Sequence, residues 1–122
     1  MLFRSTGKYA EVSSATEAPP ETVRFGLGGS TGTLYRNRYW HDEELQVVSG
    51  LNAWLQTRGK TLAQAAIAWL LRRPELTSAI VGATSAAQLK QTLPAVDLQL
   101  DAEEMAACDA AWYRLPRRAP QR

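Results

Sequence analysis

Gly82, Thr84, Ser85 and Gln88 stand in the run Ile80-Val81-Gly82-Ala83-Thr84-Ser85-Ala86-Ala87-Gln88, where an apolar stretch gives way to the start of a helix. A glycine lets a ligand approach the backbone closely, and two hydroxyls follow it. The amides of a first helical turn, here roughly residues 85 to 88, lie at the positive end of the helix dipole and attract an anion such as phosphate. In barrels of parallel strands, phosphate commonly sits at such a helix start after the seventh and eighth strands. Ser85-x-x-Gln88 is also the spacing of a capping box, in which both residues serve only the helix. Spacing alone leaves the two readings open.

Other residues with chemical potential read more plainly. His41 with Asp42, Glu43 and Glu44 offers metal-ligand types, but four consecutive residues at a helix start do not converge on one ion, and a helix-opening role fits better. Gly26-Leu27-Gly28-Gly29-Ser30 lacks the third glycine and the preceding strand of a dinucleotide loop, and reads as a flexible loop. Tyr9, Tyr35, Tyr39 and Tyr113 are acids by type only, with no lysine and histidine arranged around them. Cys108, the single cysteine, lies on an apolar helical face and reads as an inert core thiol without a disulfide partner in the chain. Arg114, Arg117, Arg118 and Arg122 lack interleaved aromatic platforms, so no nucleic-acid partner is expected.

The bulk properties set the frame. The chain has 122 residues, 45% hydrophobic and 21% charged, which suits one soluble globular unit. No run approaches the roughly 18 apolar residues of a membrane span. Arg4, Lys8 and Glu11 interrupt any apolar leader, so the cytoplasm is the expected location. A net charge of +2 names no partner.

The elements that must position these residues follow from periodicity. Residues 1–38 read as an irregular loop region, punctuated by Pro19-Pro20 and several glycines. Leu45, Val48, Leu51 and Leu55 recur at helical spacing behind Asp42-Glu43-Glu44, and Gly59 stops that helix. Thr61-x-x-Gln64 opens a second helix with capping-box spacing. Leu62, Ala65, Ala66, Ile67, Trp69, Leu70 and Leu71 make it apolar almost all round, which predicts burial. Ser78-Ala79-Ile80-Val81, bounded by Pro74 and Gly82, predicts one buried strand. Ser85 opens a third helix that Pro94 closes, and Asp101 opens the last, with Met105, Cys108, Trp112 and Leu115 on its apolar face. Residues 39–116 are thus an αα-β-α-α unit, and 117–122 a solvated basic tail. A lone strand leaves its backbone rows without partners, and a helix–strand–helix unit belongs beside other parallel strands.

Two runs carry a resemblance. Thr61-Leu62-Ala63-Gln64-Ala65-Ala66-Ile67-Ala68-Trp69-Leu70-Leu71-Arg72 and Thr77-Ser78-Ala79-Ile80-Val81-Gly82-Ala83-Thr84-Ser85, with Gln88-Leu89, resemble the C-terminal part of the aldo-keto reductases. Thr6-Gly7-Lys8-Tyr9, Arg38-Tyr39-Trp40 and Trp112-Tyr113-Arg114-Leu115-Pro116 extend the resemblance from about Thr6 to Pro116. It is nearest to the bacterial reductases related to the potassium-channel β subunits. The resemblance implies an α/β fold, the C-terminal fragment of a (β/α)8 TIM barrel, mostly helical as it stands and with one clear strand. It implies NADPH as cofactor, with Gly82, Thr84, Ser85 and Gln88 along its adenosine and 2′-phosphate end and Lys8 at the phosphates; Arg24 matches a nearby arginine loosely. The next two positions, Gln91 and Thr92, stand where the family usually has glutamate and asparagine to hold the adenine. Threonine lacks the amide that pairs with an adenine edge.

The family's tyrosine, lysine, aspartate and histidine sit on earlier strands, and no residue here matches them. A whole barrel needs about 250 residues. The expected function is therefore that of a C-terminal fragment whose parent passes a hydride from NADPH to a small aldehyde or ketone. On its own, such a fragment is expected to be inactive and weakly folded. The alternative is a non-enzymatic helical binding or regulatory module that associates with a full-length relative and hides the face of Leu62, Trp69 and Ile80. A third possibility is complementation by an upstream barrel chain.

Overall fold

The computed structural model describes residues 14–16 and 29–115. Lys8, Arg24, Gly26 to Gly28 and the basic tail lie outside the described residues. The order of elements is α1 (Gly29–Tyr39), α2 (Asp42–Thr57), α3 (Leu62–Leu71), α4 (Ala86–Thr92), a 3₁₀ turn (Leu93–Val96) and α5 (Ala102–Arg114).

The core forms where α2 and α3 meet. Leu55, Leu62 and Ala65 are buried together, with Val48, Leu51, Trp54 and Leu100 packed against them. Helix α2 opens on Asp42, Glu43 and Glu44, which suit the positive end of its dipole. It closes at Gly59, whose φ is +69°. Lys60 N donates to Leu55 O and Gly59 N donates to Gln56 O, each at 3.0 Å, the paired bonds of a Schellman motif. A Cβ at position 59 meets open space, so only the left-handed backbone opposes a side chain there. Gly59→Ala is expected to cost about 1 kcal/mol, read as a lower thermal midpoint with the fold unchanged.

Helix α3 carries the all-round apolar character expected of it: Leu62, Ala65, Ala66, Ile67, Ala68 and Trp69 are all buried. Its cap departs from the expected box. Thr61 Oγ1 accepts from Gln64 N at 3.3 Å, but the Gln64 side chain does not turn back. Its Nε2 donates to Gln91 O at 2.7 Å and ties α3 to the end of α4.

Helix α5 runs antiparallel to α2 and is fastened at both ends. Its start is a full capping box: Glu104 N donates to Asp101 Oδ1 at 2.8 Å, and Asp101 N donates to Glu104 Oε2 at 2.9 Å. Arg58 pairs with Asp101 at 3.1 Å and also with Glu103, and Lys60 pairs with Glu104 at 2.6 Å. Further along, Trp69 Nε1 donates to Asp109 Oδ1 at 2.9 Å. Arg73 pairs with Asp109 and lies 4.4 Å over the Trp69 ring, which also meets Trp112 at 5.9 Å. The bond from Glu104 N chiefly holds the Asp101 carboxyl below its ordinary value of 3.8, with Arg58 and Lys60 helping. Stability from this group is therefore complete above the ordinary aspartate range and lost as pH falls below it. The start of α5 is expected to stay capped through the ordinary aspartate range and to fray only at lower pH, visible there as an upfield shift of the Glu104 amide in an NMR titration.

Three expectations are corrected. Residues 29–38 are not irregular: they belong to α1, which runs to Tyr39. The helix has no apolar stripe to announce it. It is anchored where it ends, by Trp40, which is buried and whose Nε1 donates to Ala15 O at 3.1 Å. Residues 78–81 are not a buried strand. Among the described residues no strand exists to pair with them, and Ile80 is 94% exposed. A strand is defined by its partner, and local β-propensity alone cannot supply one. The face formed by Leu62, Trp69 and Ile80 is not open either, because Leu62 and Trp69 are already buried within this chain.

Candidate functional site

The apolar-to-helix junction is presented at the surface by the α3–α4 pair. Residues 77–85 link α3 to α4, and the Gln64–Gln91 bond fixes how α4 lies on α3. Gly82, Thr84, Ser85, Ala86 and Ala87 are all exposed. A Cβ built at Gly82 meets nothing among the described residues, and its φ is ordinary, so neither their packing nor its backbone requires glycine there.

The polar side chains of the junction are engaged with its own helix. Ser85 Oγ accepts from Gln88 N at 3.1 Å, the N-cap bond of α4. Gln88 Oε1 reaches back one residue beyond the expected box and accepts from both Thr84 N at 2.8 Å and Thr84 Oγ1 at 3.0 Å. The sequence thus brings Thr84, Ser85 and Gln88 into one hydrogen-bonded loop. A cap of this kind pre-forms the loop and holds the Thr84 hydroxyl at its rim, in reach of solvent.

The two positions past the first turn are separated by burial. Gln91 is exposed and gives its carbonyl to Gln64. Thr92 is buried, and its hydroxyl donates to Gln88 O and Leu89 O within its own helix, each at 3.1 Å. Beyond the first turn, Gln91 thus faces solvent and Thr92 does not.

The other candidates settle into structural positions. His41 Nε2 lies 2.8 Å from Asn37 O, and Asp42 Oδ1 accepts from Ala15 N at 2.6 Å and from Ser14 Oγ at 3.1 Å. No cluster of three or more His, Cys, Asp or Glu that could hold a metal exists among the described residues. No described helix is long and apolar enough to cross a membrane. Cys108 is buried, and desolvation pushes its thiol from the ordinary 9.0 up to about 11, with Glu104 adding to the effect. That shift leaves about a hundredfold less thiolate near neutrality, so alkylation of native chain by iodoacetamide at pH 8 is expected to lag the urea-unfolded chain by at least that factor. Stability from the thiol is complete below its unfolded value and declines as pH rises towards about 11.

One feature had no sequence signal. A groove of about 350 Å³ runs between α2 and α5, with Gly50 and Ala107 as small residues and Val47, Leu51 and Trp54 as apolar ones. It lies away from the 82–88 junction and depends on two helices some fifty residues apart in the chain.

The pattern of the Aldo/keto reductase family matches residues 6–113 of this chain. Among curated proteins, the chain is similar to a probable voltage-gated potassium channel subunit beta of Arabidopsis thaliana, 39% identical over 93 residues, or 76% of this chain and 26% of that protein. It is similar to an L-glyceraldehyde 3-phosphate reductase of Escherichia coli O157:H7, 42% identical over 105 residues, or 85% of this chain and 29% of that protein. It is also similar to aflatoxin B1 aldehyde reductase member 2 of Mus musculus, 28% identical over 125 residues, 94% of this chain and 33% of that protein. The chain spans between a quarter and a third of the length of these relatives.

Proposed function

The chain belongs to the aldo/keto reductase family, and we propose that it supplies the adenosine-phosphate end of an NADPH site in a barrel reductase without carrying the catalytic residues itself. The observation behind this reading is the pre-formed loop of Thr84, Ser85 and Gln88 beside a glycine that nothing among the described residues requires. Gly82 lets the cofactor's phosphate approach the backbone. Thr84 Oγ1 can turn from Gln88 towards the anion, and Ser85 and Gln88 hold the loop open for it. Lys8 adds the positive charge that a phosphate needs. Gln91 is the remaining polar group for the adenine side, while Thr92 stays in the core.

When bound, NADPH supplies the hydride for reduction of a small aldehyde or ketone. This chain's residues bind and orient its distal phosphate; the proton donor and its partners come from outside the chain. The names of two relatives, both reductases of aldehydes, support this substrate class. A cytoplasmic setting belongs to the same proposal.

The test is a titration of the labelled full chain with NADPH, NADH and 2′,5′-ADP, followed by amide NMR. NADPH and 2′,5′-ADP should move the Gly82, Thr84 and Ala86 resonances, and NADH should do so less. Saturation with no shift at these amides would overturn the cofactor reading. Turnover of aldehydes by the chain alone would overturn the claim that the catalytic residues lie elsewhere.

A second reading has its own support. Leu55, Ala65, Ala95 and Cys108 are each buried among the helices, without any sheet among the described residues. This favours a non-enzymatic helical module. A cooperative thermal melt of the monomer without NADPH, together with no NADPH binding, would select it.

A further inference from the structure

The groove between α2 and α5 lies outside the cofactor reading. Val47 and Trp54 give it apolar walls, Gly50 and Ala110 are its low points, and Glu43 and Arg114 stand at one end. Gly50 lies in the middle of α2, where a glycine costs about 1 kcal/mol relative to alanine. A Cβ there meets nothing within 4 Å among the described residues, so their packing does not call for its absence. A side chain left out at a cost, and not for the sake of those neighbours, leaves room for something from outside. Glu43 and Arg114 point the same way. The helix dipoles suit their signs, an acid at the start of α2 and a base at the end of α5. Antiparallel packing then sets the two opposite charges at the same end of the groove. Both are exposed, and neither forms an ion pair among the described residues.

We propose that the α2–α5 groove is the contact surface between two copies of this chain, which join as a four-helix bundle about a two-fold axis parallel to the helices. In that arrangement α2 of each copy lies beside α5 of the other, and every neighbouring pair of helices is antiparallel. Glu43 of each copy stands level with Arg114 of its partner, so one pair of charges is satisfied twice. Gly50 and Ala110 let the helices approach closely, and Val47 and Trp54 lose their remaining water. This self-complementary charge favours a second copy over a foreign helix, which would have to bring both an acid and a base to the same level. The helices, of 16 and 13 residues, give a face only about 20 Å long. Such a face is small for a permanent interface, so the dimer is a reversible one.

The experiment is sedimentation equilibrium of the full chain over a range of concentration and salt. The expected result is a monomer–dimer equilibrium that weakens as salt rises. Glu43→Arg and Arg114→Glu should each weaken the dimer by about tenfold or more, because each turns two attractive pairs into two repulsive ones. Mixed in equal amounts, the two variants should dimerise again, since every pair across the contact is then of opposite sign. Contacts within one chain cannot produce that rescue. Gly50→Leu should abolish the dimer, while the thermal midpoint of the dilute monomer holds or rises. A chain that stays monomeric overturns the proposal, as does a mixture without rescue or a dimer that survives Gly50→Leu. A dimer lost instead on Leu93→Asp would put the contact on the exposed apolar turn after α4, and overturn it equally. NADPH has no part in this contact, so the dimer and the cofactor site can fail independently.

Discussion

Lys60→Met is expected to destabilise the chain by about 3 kcal/mol, because it strips the counter-charge from a buried carboxylate. Glu104 is 1% exposed in its side chain and 2.6 Å from Lys60 Nζ. Its other oxygen accepts from Asp101 N in the capping box. Removing Lys60 leaves the charge in place, partly satisfied and out of water. Lys60 itself keeps 22% exposure, which puts the effect at the lower end of the range for buried pairs, about 3 to 5 kcal/mol. A single domain has only about 5 to 15 kcal/mol in total, so this loss is a large share of it. The check is a urea titration followed by circular dichroism, with Lys60→Met and Glu104→Gln combined as the control. The amide oxygen introduced by Glu104→Gln still accepts from Asp101 N and carries no charge, so the double variant should recover most of the loss. A double variant no more stable than Lys60→Met would mean that charge is not the cause.

Leu55→Ala is expected to cost about 3 to 4 kcal/mol through the cavity it leaves. Leu55 is 0% exposed and sits with Leu62 and Ala65 at the crossing of α2 and α3. Its carbonyl also accepts from both Arg58 N and Lys60 N, so the helix end that turns the chain towards α3 starts at this residue. The neighbours are anchored by a Schellman turn on one side and the Thr61 cap on the other, which limits collapse into the space. Leu55→Met conserves volume and should cost less than about 1.5 kcal/mol. Equal effects of the two substitutions, measured by thermal melts monitored through Trp54 fluorescence, would show that the site is not tightly packed.

These two residues also separate what is legible in the sequence from what is not. Leu55 stands on a helical stripe visible in the spacing of Leu45, Val48, Leu51 and Leu55. Lys60 and Glu104 lie 44 positions apart, and no pattern in the chain pairs them. The candidate site divides in the same way. Gly82, Thr84, Ser85 and Gln88 are close in sequence, and their hydrogen bonds span four residues at most. The family resemblance groups Thr92 with them, yet the packing of α4 turns it into the core.

By itself, the sequence determined the caps and stops: Gly59 in its left-handed turn, Thr61, Ser85 and Asp101 each accepting from the amide three residues on. It also determined the family, through the run from Thr61 to Gln88. Such features form between near neighbours, where loop closure is cheap and local geometry leaves few choices. The tertiary structure alone decided three other matters. Helix α1 exists without an apolar stripe and is tied to Ala15 through Trp40. Gln64 left its predicted box for Gln91, 27 residues away. Residues 78–81, strand-like by composition, have no sheet among the described residues to join. Each depends on what lies nearby in space, and strand pairing most of all, because a strand's backbone bonds are made to another segment and never to itself.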